Sequence, residues 1–303
     1  MAISRSQLVK ELEPGLNALF GLEYKRYENQ HAEIYTEESS DRAFEEEVML
    51  SGFANAQVKG EGQGVSFDNA QETFTARYTH ETIALAFAIT EEAIEDNLYD
   101  RLAARYTKAL ARSMSNAKQV KSVEPLINGL PTADAFDSGD GVSLFNTSHP
   151  TVSGTFSNTL ATQADLNETS LEQSMIDIAA MTDERGLRIA ARGVKMIIPS
   201  EQQFTAERLM KSQGRTGTAD NDINAIVSMG MVPQGYRVNN YLTDSDSFYI
   251  LTDIPNGMKM FNRAPLTTAM EGDFDTGNVR YKARERYSFG VSDPRGIYGV
   301  AGA

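Results

Sequence analysis

The sequence changes its hydrophobic period near residue 90, and this change constrains the fold more than any other feature. From 65 to 89, apolar residues alternate with polar or small ones, which is typical of β-strands. Beyond Thr90, apolar residues recur about every four positions, which is typical of an α-helix. The first stretch predicts two long strands that meet at His80–Glu81 and pair as an extended β-ribbon. The second predicts a helix over 91–120, roughly 45 Å long at ~1.5 Å per residue, with Thr90 as its N-cap.

The first 50 residues carry too few apolar side chains to build a core of their own. A near-helical spacing relates four of them: Leu12, Leu16, Leu19 and Phe20. Pro14 and Gly15 are expected to interrupt that helix. Further on, Asp41 is a candidate cap for a second helix with Phe44 and Val48 on one face. We therefore expect an N-terminal arm that lies against something outside itself.

The second half of the chain predicts a small mixed sheet with helices packed on it. A loop rich in Gly, Ser, Thr and Asp follows the long helix. Candidate capping boxes at Thr169–Glu172 and Ser200–Gln203 begin two helices, the first of which ends near Gly186. Strand patterns occur in "GVKMIIP", "FYILTD" and "NGMKMFNR", the last two joined by a turn. This order of helices and strands predicts the α+β class.

A strand near the C-terminus, "NVRYKARERYSFGV", alternates between an apolar and a basic face. The apolar face comprises Val279, Tyr281, Ala283, Tyr287 and Phe289. The basic face comprises Arg280, Lys282, Arg284 and Arg286. Four like charges on one strand repel each other unless they are compensated. The basic face could therefore pair with an acidic segment of a neighbouring subunit or lie near nucleic acid, and a solvated face is the third alternative.

Composition excludes several classes of function. The 303 residues contain no cysteine, so disulfides, zinc–thiolate sites, iron–sulfur clusters and thiol nucleophiles are impossible. The formal charge of −14 would repel DNA at long range, which argues against a conventional DNA-binding module. No run of 18 apolar residues and no signal-peptide pattern occurs. We therefore expect a globular protein made in the cytoplasm, without a membrane partner.

The stretch "VKGEGQGVSF" has glycine at Gly60, Gly62 and Gly64, which invites comparison with a phosphate-binding loop. Such a loop needs a strand before it and a helix after it, so that the helix N-terminus meets the phosphate. Here strands follow, and Glu61 adds negative charge. The three glycines are therefore interpreted as bends in a flexible loop.

Asp220, Asp222 and Asn224 have the spacing of the first three ligands of a calcium loop. Ala225 and Met231 stand where such a loop needs a glycine and a bidentate glutamate. A turn or capping role is therefore favoured over a metal site.

The remaining polar motifs do not converge on a catalytic site. Asp137–Gly141 and Thr243–Asp246 are acidic runs typical of exposed turns. His31, His80 and His149 lie in three different segments, and His149, which precedes a proline, is expected in a turn. No nucleophile elbow, zinc-protease helix or Walker loop occurs. We predict no catalytic, cofactor-binding or metal-binding residue, and no enzyme.

The order of arm, β-ribbon, long helix, mixed domain and returning strands resembles the major capsid proteins of tailed bacteriophages, which have the Hong Kong 97-type fold. The resemblance rests on "FTARYTHETIALAFAITEEAIEDNLYD" (Phe74–Asp100), "LFNTSHP" (Leu144–Pro150), "NDIN" (Asn221–Asn224), "YLTDSDSFYIL" (Tyr241–Leu251) and "FGVSDPRGIYG" (Phe289–Gly299). These stretches look most like the branch related to the Mu-type major head subunit.

This resemblance implies a division of the chain into four parts. Residues 1–50 would form an N-terminal arm, and 51–90 an extended β-hairpin loop that reaches over a neighbouring subunit. Residues 91–123 and 255–290 would form the peripheral domain with its long spine helix, and 124–254 and 291–303 the axial domain. The contacts between subunits would then involve Lys59, Gly60, Gly62, Gly64, Phe67, Phe74, Arg77, Tyr78, Arg280, Lys282, Arg284 and Arg286.

The resemblance also implies partners. The subunit would assemble with itself into pentamers and hexamers of an icosahedral head, in the cytoplasm of a host bacterium, and enclose double-stranded DNA without sequence-specific binding. Because the arm begins almost at Met1, a separate scaffolding protein is expected in place of a fused one. A portal and a decoration protein are further candidate partners. No covalent crosslink at Lys59 is expected, since no Asn and Glu partners for it are identifiable.

Two other hypotheses remain open at this point. An encapsulin-like compartment would share the fold but enclose enzymes in place of DNA. A metal-dependent enzyme would use Asp220 and Asp222, with Asn224.

Overall fold

The computed structural model describes residues 5–90, 92, 99–130, 136–214, 222–273 and 277–303. Its helices are α1 (Arg5–Arg26), α2 (Tyr99–Asn128), α3 (Glu168–Ala180), α4 (Gln203–Lys211) and α5 (Ala225–Met229). Its first six strands are β1 (Thr36–Ser39), β2 (Phe44–Leu50), β3 (Glu72–Thr79), β4 (Glu81–Ile89), β5 (His149–Thr151) and β6 (Gly154–Phe156). The others are β7 (Gly193–Ile198), β8 (Tyr236–Val238), β9 (Phe248–Thr252), β10 (Met258–Gly272), β11 (Val279–Val291) and β12 (Ile297–Val300). The mixture of helices and strands confirms the predicted α+β class.

Two sheets have four strands each. The larger sheet is the one that contains the longest strands, β10 and β11, and its strand order is β1-β10-β11-β4. β1 is parallel to β10, and the other pairs are antiparallel. The alternation of β11 is confirmed, because Tyr281, Ala283 and Tyr287 are buried while Arg280 and Lys282 are exposed. The buried face of this sheet packs against α1 and α2 around a core of Leu16, Phe20, Leu110, Met114 and Tyr281.

The second sheet has the order β12-β9-β7-β8. Its apolar strand residues pack with α3 and α4 in a second core that includes Leu171, Ile178, Leu209, Phe248, Ile250 and Tyr298. A third cluster lies between the two sheets and joins them through Leu126, Phe145, Tyr249 and Met260. Two packed layers of helix on sheet thus share a continuous apolar interior.

β3 and β4 do not pair with each other, so the ribbon predicted around His80 is wrong. β3 is antiparallel to β2, and β4 is antiparallel to β11. A single residue, His80, separates the two strands, whereas the shortest common hairpin connection has two residues. The chain therefore crosses from one sheet to the other at His80. The extended hairpin is β2–β3, joined by residues 51–71.

β2 replaces the helix predicted after Asp41, which is also wrong. Its residues alternate between exposed and half-buried along the strand. Phe44 and Val48 lie four positions apart, and this spacing places two residues on one face of a strand as well as on one face of a helix. The spacing alone therefore could not separate the two structures.

α1 continues through Pro14, although Pro14 and Gly15 were expected to interrupt it. A proline inside a helix removes a hydrogen bond and costs about 3 kcal/mol. The packing of Leu16 and Phe20 against α2 and the larger sheet offsets that cost. Tertiary contacts therefore decide the conformation of this segment.

α2 is described over 30 residues, Tyr99–Asn128, and ends eight residues beyond the expected end. Most of the predicted start, at 91 and 93–98, lies outside the described residues, and with it the test of the Thr90 cap. The helix stops at Gly129, where an added Cβ would meet a side-chain atom of Leu144 and the carbonyl oxygen of Pro125 at 2.6 Å each. This close approach favours glycine at the helix end.

The helix caps of the second half differ from the predictions. Asn167 and Ser170 form the capping box of α3, two residues before the predicted box at Thr169. Gly186 lies in the turn that follows α3. The residues from Ser200 form a 3₁₀ turn before α4, without a side-chain cap. Asn and Ser fulfil the geometry of a capping box as well as Thr and Glu do.

β9 and β10 are confirmed as strands, but they belong to different sheets. β9 pairs with β7 and β12, whereas β10 pairs with β1 and β11. The C-terminal strand β12 occupies the position beside β9 that a hairpin partner would take. The turn at Pro255–Asn256 therefore carries the chain from one sheet to the other.

Candidate assembly interface

The β2–β3 hairpin ends in a loop whose apolar side chains have no cover in their own subunit. Residues 52–70 are exposed throughout. Val58 is 99% exposed and Phe67 is 96% exposed. Two large apolar side chains that are exposed almost completely on one loop are candidates for contact with another molecule.

The glycines of this loop differ in conformation. Gly62 has a left-handed φ of +77°, which any other residue except Asn or Asp would adopt only with strain. The amide of Gln63 donates to the carbonyl of Gly60 at 3.2 Å and closes the turn. Gly60 and Gly64 have no left-handed φ. The predicted bend is therefore located at Gly62, beside the exposed Lys59.

The base of the hairpin is held by a buried lysine of the larger sheet. The ammonium of Lys259 on β10 lies 2.5 Å from a carboxylate oxygen of Glu47 and 3.2 Å from one of Glu38. Only 7% of the lysine side chain is exposed. These contacts tie β1, β2 and β10 together and fix where the hairpin leaves the sheet.

Tyr78 differs from the other candidate contact residues, because the structure buries it in its own subunit. It is 2% exposed, and its ring lies 4.7 Å from that of Phe261. Its hydroxyl lies 2.5 Å from the hydroxyl oxygen of Ser292. The expectation that Tyr78 contacts a neighbour is therefore not supported, since β3 uses this face for its own core.

Phe74 and Arg77 remain on the accessible part of the hairpin. Phe74 is partly buried and lines a cleft between β3 and the turn after β5. The Arg77 guanidinium lies 4.0 Å above the ring of Phe44 and 3.8 Å from a carboxylate oxygen of Glu46. Arg77 therefore already has partners across the hairpin, and an exposed pair of this kind contributes little stability.

His80 lies where the chain passes from the hairpin to the larger sheet. Its Nε2 is 3.0 Å from the hydroxyl of Ser40, and its Nδ1 is 3.0 Å from the hydroxyl of Ser288. Burial lowers the pKa of His80, and the positive charge of Arg286 lowers it further. The ring is therefore neutral near pH 7 and joins three segments by hydrogen bonds.

Two further contacts hold the hairpin against the rest of the subunit. The Arg185 guanidinium donates to the carbonyl of Asn69 at 2.5 Å. Gly139 lies so close to β3 that an added Cβ would be 3.0 Å from the carbonyl oxygen of Thr75. The acidic run at Asp137–Gly141 is thus a turn that supports the hairpin.

The basic face of β11 lies on the side of the sheet away from α1 and α2. Arg280, Lys282 and Arg284 are exposed, and Arg286 is half-buried. The cross-strand neighbours on β4 are small: Ala88, Ala86, Ala84 and Thr82. Arg280 pairs with Asp273. The four cations therefore form a raised row on a flat surface, accessible to a partner.

Glu285 is a buried acid in the same strand, and its role could not be read from the alternation. It is 3% exposed and lies 3.8 Å from the ammonium of Lys118. The hydroxyl of Tyr24 lies 3.5 Å from the same carboxylate. Burial raises the pKa of the Glu285 carboxyl, which the charge of Lys118 only partly opposes. This group connects α1, α2 and β11.

The candidate calcium ligands have structural roles where they can be seen. Asn224 caps α5 by accepting from the amides of Ile226 and Val227. Asp222 is exposed, and Asp220 lies outside the described residues. Among the described residues, no three His, Cys, Asp or Glu side chains are placed to hold a metal ion. The capping interpretation is therefore confirmed for Asn224.

The histidines and the second acidic run also have local partners. His149 is fully buried, with its Nδ1 2.6 Å from a carboxylate oxygen of Asp140. His31 is buried against Gln119 of α2 and lies 3.1 Å from Glu37. In the acidic run Thr243–Asp246, the amide of Asp246 donates to the side chain of Asp244, as expected in a turn. His149 is therefore a core residue, contrary to the prediction of a turn histidine.

Within the described part of the chain, none of the helices combines the length and apolarity needed to cross a membrane.

Comparison with known proteins agrees with this architecture. The family model for phage capsid proteins matches residues 72–300 of the chain. A search of curated proteins gives no match. Among solved structures, the capsid of a native GTA particle is similar, with a TM-score of 0.55, 13% identity and coverage of 90% of this chain and 89% of that one.

Two further structures have the same fold at low identity. The capsid of Myoviridae phage XM1 gives a TM-score of 0.53 and 11% identity, with 89% of each chain covered. The virus-like particle from Pyrococcus furiosus gives a TM-score of 0.52 and 10% identity, with 94% of this chain and 97% of that one covered. These likenesses show the fold, and the family match spans most of the sequence. The chain belongs to the phage capsid protein family and is a structural capsid subunit.

Proposed function

We propose that this major capsid protein builds the icosahedral head of a tailed phage by placing its β2–β3 hairpin on a neighbouring subunit. One observation carries the proposal: the loop at 51–71 exposes Val58 and Phe67 almost completely. A loop of 21 residues without regular structure is uncommon in a compact domain unless it has a function. A neighbouring copy can bury it.

The parts of the subunit have distinct roles in this proposal. The hairpin and its loop form the intersubunit arm, and α2 with the larger sheet forms the peripheral domain. The second sheet with α3, α4 and α5 forms the axial domain, which packs around pentamer and hexamer axes. Lys59, Gly60, Gly62, Gly64 and Phe67 supply the contacts of the loop, and Phe74 and Arg77 those of its stem.

The basic row of β11 supplies a second contact surface. Arg280, Lys282, Arg284 and Arg286 face outward from an otherwise acidic subunit. An acidic segment of a neighbour would compensate their mutual repulsion. The row therefore fits a contact between subunits.

Further partners complete the proposed head. They comprise a separate scaffolding protein, a portal and a decoration protein, with double-stranded DNA held inside without sequence-specific binding. Assembly takes place in the host cytoplasm, and the Mu-like head proteins are the proposed branch.

The test compares two loop variants with a matched surface control. Val58→Ser and Phe67→Ser should leave the free energy of unfolding within about 0.5 kcal/mol of the parent, because both side chains are exposed. They should abolish closed shells or greatly reduce their yield in electron microscopy of the protein co-expressed with its scaffold. Val120→Ser removes an apolar group of α2 that is 42% exposed and lies outside the hairpin, and this variant should assemble normally.

Normal shells from both loop variants would contradict the proposal. Protein cargo in place of double-stranded DNA in the isolated particles would favour an encapsulin-like compartment.

A further inference from the structure

β4 forms one end of the larger sheet, and its second edge has no strand partner among the described residues. In an antiparallel pair, the N–H and C=O groups of alternate residues point away from the partner. On β4 these groups face outward along a strand of nine residues. Such an edge is a template for another strand.

Proteins usually protect free edges with charges, prolines or bulges. The distal part of β10, at the other side of the sheet, has Pro265 and two register shifts between Asn262 and Thr267. β4 carries a charge only at its first residue, Glu81. Residues 82–90 contain no charge and no proline, and the register with β11 is unbroken. The edge of β4 is therefore regular and unprotected.

The unprotected edge also exposes apolar surface. Leu85 is 47% exposed at the centre of β4. Tyr106 of α2 is 49% exposed, and its ring lies 5.7 Å from that of Phe87. A partner at this edge would cover apolar side chains as well as backbone groups.

We propose that this edge pairs with β4 of a second copy, antiparallel and about a two-fold axis at Leu85. In that register Leu85 faces the partner's Leu85, and Ile83 faces the partner's Phe87. On the opposite side, Ala84 faces the partner's Ala86. Large residues thus meet large ones and small residues meet small ones, as a self-complementary interface requires.

The charges of the subunit are compatible with this pairing. The basic rows of the two β11 strands would be separated by three strand spacings, about 14 Å in all. This distance exceeds the Debye length of about 8–10 Å at ordinary salt. A partner strand with charged residues would instead place them against the apolar face of Leu85. β4, which is uncharged from Thr82 to Ile89, is the fitting partner.

This inference goes beyond the proposed contacts of the hairpin and of the basic row, because it assigns a further, independent contact to a different strand. It rests on the proposed function only in that the pairs would join subunits within a shell. A two-stranded continuation of the sheet requires no movement of β4, since the edge is already extended.

Cysteine crosslinking tests the pairing directly, because the chain has no cysteine of its own. In Leu85→Cys the two cysteines of a pair would lie directly opposite each other. Their Cα atoms would be within the separation of 4.4–6.8 Å that a disulfide needs. Ala88→Cys is the control on the same strand, since its thiol would be about 20 Å from its counterpart at 3.4 Å per residue. Mild oxidation of assembled shells should convert most Leu85→Cys chains to dimers and leave Ala88→Cys chains monomeric.

A charged edge gives an independent test. Leu85→Lys should weaken dimer formation at least tenfold with an unchanged circular dichroism spectrum, whereas Val152→Lys, at a similarly exposed position, should not.

Shells without the Leu85→Cys dimer, or with equal crosslinking of both cysteine variants, would overturn the pairing and leave the hairpin contact intact. Crosslinking of Leu85→Cys to a Val58→Cys chain would also overturn it, because the loop would then occupy the edge. Crosslinked dimers without shells would support the pairing and contradict the proposed function.

Discussion

At the scale of single residues, Lys259 shows how one buried charge positions the hairpin. Its ammonium contacts Glu38 on β1 and Glu47 on β2 from its own place on β10. Removing one member of a buried ionic group leaves the others without compensation. The two carboxylates would then repel each other at the base of the hairpin.

Lys259→Met should therefore lower the free energy of unfolding by about 1.5–3 kcal/mol, the value of hydrogen bonds to charged groups. Urea denaturation measures this change. Lys282→Met, on the exposed row, is the control and should change the free energy by less than about 0.5 kcal/mol. Equal effects of the two substitutions would contradict the role assigned to Lys259.

Glu285 predicts a pH dependence whose sign follows from its raised pKa. Burial raises the pKa of Glu285 in the folded state above its ordinary value of 4.5, so the folded protein holds this proton more tightly than the unfolded chain does. Between the pKa of Glu285 in the unfolded chain and its pKa in the folded protein, the folded state binds more protons than the unfolded state. The contribution of Glu285 to stability therefore falls as the pH rises through this range.

The change in stability with pH should thus differ between the parent and Glu285→Gln. Above pH 4.5 the parent should lose stability relative to the variant as the pH rises, and the difference should level off above the folded-state pKa. Thermal unfolding of both proteins across this range gives the comparison. A constant difference at all pH values would show that Glu285 does not titrate in this way.

At the scale of elements, the position of the hairpin depends on the turn that supports it. Gly139 and Gly141 both have left-handed φ values, +96° and +86°. Only Gly139 touches the hairpin, because an added Cβ at Gly141 would meet no atom within 4 Å. The two glycines therefore separate backbone strain from contact with β3.

Gly141→Val should cost about 1–2 kcal/mol, the strain of a left-handed residue. Gly139→Val should cost more, because its side chain would also push against the carbonyl of Thr75. Hydrogen exchange should show faster exchange of β3 amides in Gly139→Val only. Equal protection of β3 in both variants would mean that the turn does not hold the hairpin.

Local periodicity predicted most of the elements but not their pairing. The alternation of β11 and the helical conformation of α2 could be read from spacing, because each pattern reflects burial of one face. The strand that pairs with β3 could not be predicted in this way, since β2 and β4 both have a period of two. Only the single residue between β3 and β4, His80, argues against a β3–β4 hairpin. The burial of Tyr78 and of Glu285 depends on contacts with distant strands, which a sequence pattern does not contain.

At the scale of the whole molecule, the subunit combines a well-packed body with surfaces that its own chain leaves uncovered. Three apolar clusters join the two sheets and the helices into one body. The loop at 51–71 extends beyond these clusters, and its apolar residues have no place in them. Such a division is expected for a subunit whose final contacts form only on assembly. The order of the elements along the chain indicated the fold, and the alternation of β11 indicated its basic row. The edge position of β4 became clear only from the structure.

The most direct test of the central claim is a reconstruction of assembled particles by electron cryomicroscopy, at a resolution that traces the loop. We predict that residues 51–71 lie on a neighbouring subunit, with Val58 and Phe67 buried there. A loop folded back on its own subunit, or a protein that stays monomeric with its scaffold present, would contradict the account.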